Sequence, residues 1–162
     1  MINLNLKAVF HLTQALLPAL LAAATDDDPA RVINVGSVEG IGIPPWENYA
    51  HPASKAALHH LSRHLAANLA AQRITVNAIA PGFFESRMTE FLFQPGRIEG
   101  VVGGIPLGRA GTYEDIAGAA IYLASRAGAW VTGVVLPIAG GSVTATANRR
   151  LADPGARQCL RP

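Results

Sequence analysis

Apolar and polar positions along this 162-residue chain switch between two periods. Between residues 3 and 24, Val9, Leu12, Leu16, Leu17, Leu20 and Leu21 recur at helical spacing. Asn3, Asn5, Lys7, His11, Thr13 and Gln14 break the apolar run, which predicts an amphipathic helix and not a signal peptide or a membrane span. Pro18 falls inside this pattern and is expected to kink or loosen the helix. Residues 25–29 read as a loop, by charge and by Pro29. Arg31 to Val35 is a short β-branched run ending at Gly36, the pattern of a buried parallel strand. A long helix is predicted from Pro52 to Gln72, with Leu58, Leu61, Leu65 and Leu69 as its stripe. Residues 73–80 form a second strand closed by Pro81-Gly82, and a helix capped by Thr112 runs to about Ser125. Residues 130–138 give a third strand, ended by Gly140-Gly141.

This order of elements predicts an α/β fold of about three parallel strands with flanking helices. Between the second strand and the Thr112 helix, residues 85–107 read as a mobile lid. Met88, Phe91, Leu92 and Phe93 make it apolar, and Gly96, Gly100, Gly103 and Gly104 offer hinges. Residues 142–162 are expected to be a disordered tail. Half the residues are hydrophobic and 15% are charged, as in a globular chain with a real core. The formal charge is +2, but the tail from Asn148 alone carries a net +3, so the rest is near −1. That is no basic face for nucleic acid. The single cysteine, Cys159, allows no internal disulfide and favours a reducing compartment, here the cytoplasm.

The candidate chemistry lies between Ser37 and Lys55. Ser37 falls at the carboxyl end of a predicted strand, where open α/β sheets bind ligands. A Gly/Pro-rich loop follows, then a ring-bearing residue and Lys55 near a helix start. The glycines at 36, 40 and 42 are spaced like a phosphate loop, but Ile43-Pro44-Pro45 follows where a helix would have to open. They read as loop flexibility. His60 and His64 are one turn apart on a helix, with no third ligand in view, and no metal is assigned.

Ser37, followed by Ser54-Lys55-Ala56-Ala57-Leu58, resembles the active site of the short-chain dehydrogenases/reductases, in particular their 3-oxoacyl-reductase-like members. Those proteins carry a Ser, about a dozen residues, then Tyr-x-x-x-Lys. The resemblance extends to Asn5-Leu6-Lys7-Ala8-Val9-Phe10, to Ile74-Thr75-Val76-Asn77 with Pro81-Gly82, and to Val131-Thr132-Gly133 with Gly140-Gly141. It implies the carboxyl-terminal half of a doubly wound Rossmann-type sheet over residues 1–141. It also implies an NAD(P)-dependent oxidoreductase acting on a small carbonyl or alcohol, with a 3-oxoacyl-like substrate and NADP favoured over NAD. By the same resemblance Ser37 binds the reacting oxygen, Lys55 tunes the proton donor and binds the cofactor ribose, and Asn5 orders a proton relay. Pro81, Gly82, Phe84 and Ser86 fall where the nicotinamide is held, and the last helix and strand are expected to pack in a homo-oligomer.

Two departures stand out. His51, not a tyrosine, is four residues before Lys55, while Tyr49 is six before it. An imidazole is shorter than a phenol, so activity is expected to be impaired. The strands and Gly-rich dinucleotide loop of the family's first half have no counterpart in residues 1–141. The first strand is therefore expected to be an open edge, prone to pairing. The alternative expectation is a non-catalytic remnant serving as a dimerisation or interaction module.

Overall fold

A computed structural model of the chain describes residues 1–44, 47–87 and 89–144. Its centre is a three-stranded parallel sheet of β1 (Ala30–Val35), β2 (Ile74–Pro81) and β3 (Val135–Ile138), in the order β1-β2-β3. Ala30 pairs with Ile74 and Val35 with Ile79, and Ala78 to Pro81 pair with Val135 to Ile138. β2 is central and buried at every position but its last. It is mostly apolar on both faces, as suits a doubly covered parallel strand, with Thr75 and Asn77 as buried polar exceptions.

The first helix has two parts. Asn3–Lys7 is a π-helical turn, and α1 (Ala8–Ala23) continues from it. The irregularity expected at Pro18 falls at Asn3–Lys7 instead, and α1 runs on through the proline. Leu17 and Leu20 of α1 pack on the core of Ala30, Ala66, Ile74 and Val76. On either side of this stripe Leu12, Leu16 and Leu21 are exposed. By length and mean hydropathy (1.4) the helix Asn3–Ala23 could also cross a membrane.

α2 (Ala50–Leu69) begins two residues before the expected start, so Pro52 sits in its first turn. It buries Ser54, Leu58, His59, Ser62 and Ala66 against the sheet and ends in a 3-10 turn, Ala70–Gln72. Arg73, expected to open the second strand, is the left-handed residue that ends this turn, with φ +59°. The third strand is shorter than residues 130–138 predict. Gly133 has φ +74°, which breaks the extended run. Gly133 N–H still donates to the Val76 carbonyl (2.9 Å), and side chains add to it: Val76 N–H donates to Thr132 Oγ1 (3.1 Å), and Asn77 Nδ2 donates to the Val131 carbonyl (2.7 Å).

Residues 85–107 hold a 3-10 turn (Glu90–Leu92) and the short helix α3 (Ile98–Val102). Of the glycines expected as hinges, Gly96 has a positive φ (+83°), as does Gly108 just beyond the segment. The segment is tied down at its far end: Ile105 is buried, and Leu107 N–H donates to the Gly140 carbonyl (3.0 Å). Met88 lies outside the described residues. α4 (Tyr113–Ala124) follows, its start closed by Asp115, whose carboxylate accepts the Thr112 N–H (2.8 Å). Residues 142–144 form hydrogen-bonded turns, and the rest of the expected tail lies outside the described residues.

Candidate active site

The carboxyl ends of β1 and β2 lie side by side, joined beyond the ladder by Gly36 N–H donating to the Ile79 carbonyl (2.7 Å). Ser37 is the first residue past this bond. It caps the 3-10 turn Val38–Gly40, its Oγ accepting the Glu39 N–H at 3.2 Å. That contact uses an acceptor lone pair and leaves the hydroxyl proton free to donate.

α2 brings the other groups to the same edge. Lys55 is half-buried, and its Nζ donates to the Val35 carbonyl at 2.7 Å. Desolvation lowers its pKa from the ordinary lysine value. His51, in the first turn, turns Nε2 toward Glu39 Oε2 at 3.9 Å, both side chains being largely buried. Asn48 Nδ2 donates to the same carboxylate oxygen at 3.1 Å. Asn5 reaches this helix through Ser54: Asn5 Nδ2 donates to Ser54 Oγ (3.0 Å), which donates to the His51 carbonyl (2.8 Å). So Asn5 does not cap a helix start. The π-turn presents it inward, and such turns recur where a side chain must be aimed. Asn5, Ser37, His51 and Lys55 are thus gathered around the first turns of α2. Tyr49 is not among them, being 79% exposed ahead of the helix.

Two of the loop glycines are not spacers. At Gly36 an added Cβ would overlap the His59 ring, and at Gly40 it would come within 2.7 Å of the α2 backbone. Gly36 and Gly40 are needed for close approach, which corrects the expectation of flexibility at those two positions, whereas a Cβ at Gly42 would meet nothing closer than 4.0 Å. The run Gly36–Gly42 passes into a 3-10 turn, so it presents no helix N-terminus to a pyrophosphate.

Pro81 ends β2, and Gly82 N–H donates to the Ile138 carbonyl (2.9 Å), with Ala139 too close for any Cβ at Gly82. Phe84 is buried, its ring filling the space beside Gly111. Ser86 is exposed, its hydroxyl 2.9 Å from Thr89 Oγ1. Thr89 Oγ1 in turn donates to the Phe84 carbonyl (2.6 Å). His60 and His64 lie exposed on α2, and no group of three or more metal-ligating side chains occurs among the described residues.

A family model described as enoyl-(acyl carrier protein) reductase matches residues 1–143. The chain belongs to the short-chain dehydrogenase/reductase family. It is 50% identical over 140 residues to the rhamnolipids biosynthesis 3-oxoacyl-[acyl-carrier-protein] reductase of Pseudomonas aeruginosa, covering 86% of this chain and 55% of that protein. To the 3-oxoacyl-[acyl-carrier-protein] reductase FabG of Thermotoga maritima it is 43% identical, covering 88% and 55%. Among solved structures, the Pseudomonas aeruginosa RhlG/NADP active-site complex superposes with a TM-score of 0.85 at 49% identity, covering 88% of this chain and 56% of that one. A gluconate 5-dehydrogenase from Burkholderia cenocepacia, in complex with NADP and tartrate, gives 0.79 at 31% identity, covering 88% and 54%. The chain spans about half the length of the curated relatives it matches. Its sheet is a partial Rossmann-like fold of this short-chain dehydrogenase/reductase type.

Three groups at this site escape the sequence pattern. Ser54 stood in the quoted motif with no role, and Glu39 and His59 lay outside it. All three act across elements, through contacts that local spacing does not encode.

Proposed function

We propose that this chain is the carboxyl-terminal half of an NADP-dependent oxidoreductase domain that interconverts a small carbonyl and its alcohol. A 3-oxoacyl thioester is the substrate class, and NADP is preferred to NAD. The observation that carries this reading is the gathering of Asn5, Ser37, His51 and Lys55 at the strand ends beside Pro81-Gly82. Relatives named for 3-oxoacyl reduction, and solved relatives holding NADP, support the choice of substrate and cofactor.

The residues fit one end of the dinucleotide. Lys55 presents a cation at the sheet edge, Ser86 an exposed hydroxyl, and Pro81, Gly82 and Phe84 the backbone of the loop after β2. These groups would hold the nicotinamide and its ribose. When bound, the reduced nicotinamide supplies the hydride. Ser37 donates a hydrogen bond to the carbonyl oxygen, keeping its own proton, and fixes the substrate. His51 delivers a proton to that oxygen as the alcohol forms, and takes it back in the reverse direction. Glu39 Oε2 stands 3.9 Å across from the ring nitrogen. Ser54 and Asn5 hold the turn that carries His51 and extend a polar path away from it. The protein is assigned to the cytoplasm, as a homo-oligomer that binds neither nucleic acid nor membrane. Helix Asn3–Ala23 is read as part of the fold because it packs on β1 and the core.

A second reading, a non-catalytic remnant serving as an interaction module, is favoured by His51 and by the outward-facing Tyr49. Turnover separates the two. NADPH oxidation with a 3-oxoacyl thioester should be slow in this chain and rise about tenfold or more in His51→Tyr, within the ~10²–10⁴-fold worth of a placed proton donor. Zero turnover by both proteins, in folded samples that bind NADPH, would reject the enzyme reading.

A further inference from the structure

His59 is 3% exposed, lies one turn beyond Lys55, and has no part in the chemistry above. Its Nε2 accepts the backbone N–H of Ser37 at 3.4 Å. Its Cε1 edge lies against Gly40, where an added Cβ would come within 2.9 Å. The ring therefore touches both ends of the turn Ser37–Gly40, and the glycines at those ends leave the space it occupies. The same turn carries Glu39, which faces His51.

We propose that neutral His59 is a positioning residue that latches the Ser37 turn to α2 and so aims the Ser37 hydroxyl. This rests on the reading of Ser37 as the group that binds the reacting oxygen. The latch needs a bare Nε2 lone pair, because its partner is an N–H donor. Protonation would set two donors against each other and release the turn. The surroundings keep the ring neutral: burial lowers its pKa from 6.5, and Arg63 and Lys55 on the same helix push it further down. A hydrogen bond with the Gly40 backbone opposes them. Glu39, on the facing turn, is engaged by Asn48 and His51. β2, behind the ring, carries no titratable side chain.

Nitrogen-15 NMR of the whole chain tests this. At pH 7.5 the His59 Nε2 shift should be that of an unprotonated nitrogen, with Ser37 in one side-chain rotamer by its three-bond couplings. As pH falls through the His59 titration, Ser37 amide exchange, corrected for intrinsic rate, should rise about tenfold or more and the rotamer should begin to average. His59→Gln, which keeps an acceptor, should hold the turn at all pH values, whereas His59→Leu should show the released turn throughout. A protonated Nε2 at pH 7.5, or Ser37 behaviour that ignores the His59 titration, would overturn the proposal. The wild-type titration decides alone if a variant does not fold. A latch seen by NMR beside zero turnover in His51→Tyr would remove the enzymatic reading of Ser37 and leave the latch standing.

Discussion

Ser54 is fully buried, and its one hydroxyl joins Asn5 to the His51 carbonyl. Ser54→Ala would remove the partner of the half-buried Asn5 amide and the tie from it to the His51 carbonyl. That should cost about 0.5–1.5 kcal/mol in urea unfolding. His59 gives a pH dependence with a definite sign. Its folded pKa lies below 6.5, so on acidification the unfolded chain takes up the proton first. Stability should be unaffected by this group above about pH 6.5 and should fall as pH drops from there toward the folded pKa. His59→Leu should lack that part of the slope. At this scale Ser37 and Lys55 stand out in the sequence because one strand–loop–helix unit spaces them, and Asn5 because of its Asn-Leu-x-x-Val-Phe segment. Glu39, Ser54 and His59 do not, because each gains its meaning from a partner on another element. The Gly36 and Gly40 spacing was visible but misread, since only the folded structure shows an imidazole between them.

At the scale of elements, helical stripes and β-branched runs located every major helix and strand, with errors at the ends. Arg73 is a helix-ending left-handed residue, and nothing in its chemistry marks it apart from the strand that follows. The third strand was overextended because Val131-Thr132-Gly133-Val134 has strand composition. Gly133 at positive φ breaks the extended run, and Thr132 Oγ1 and the Asn77 side chain tie the segment to β2 beside the backbone bond from Gly133 to Val76. Thr112 was read as a cap, and the structure adds the reciprocal carboxylate of Asp115, itself gripped by Arg109 at 2.7 Å and 3.0 Å. These bonds hold the Asp115 carboxyl well below the usual carboxylate range. Thr112→Ala should destabilise the chain by ~1 kcal/mol, read as a shift in urea midpoint at unchanged slope.

At the scale of the molecule, the sheet has two outer strands, β1 and β3, and the last residue of β1, Val35, is 62% exposed. A groove of about 420 Å³ runs beside it, lined by Leu12, Leu16, Val32 and Val35 and reaching Asn5 and Lys55. An uncovered edge and an apolar groove beside a site are the features of a sheet with room for further strands. That agrees with a chain about half as long as its relatives. The central claim is that this half holds the acid–base groups and the nicotinamide end of the cofactor site. The measurement that tests it most directly is an NMR-mapped titration of the 162-residue chain with NADPH. The account predicts saturable shifts gathered at Ser37, Lys55, Gly82, Phe84 and Ser86, weakened by Lys55→Ala. A folded spectrum that does not respond, or saturable shifts confined to residues far from the carboxyl ends of β1 and β2, would contradict it.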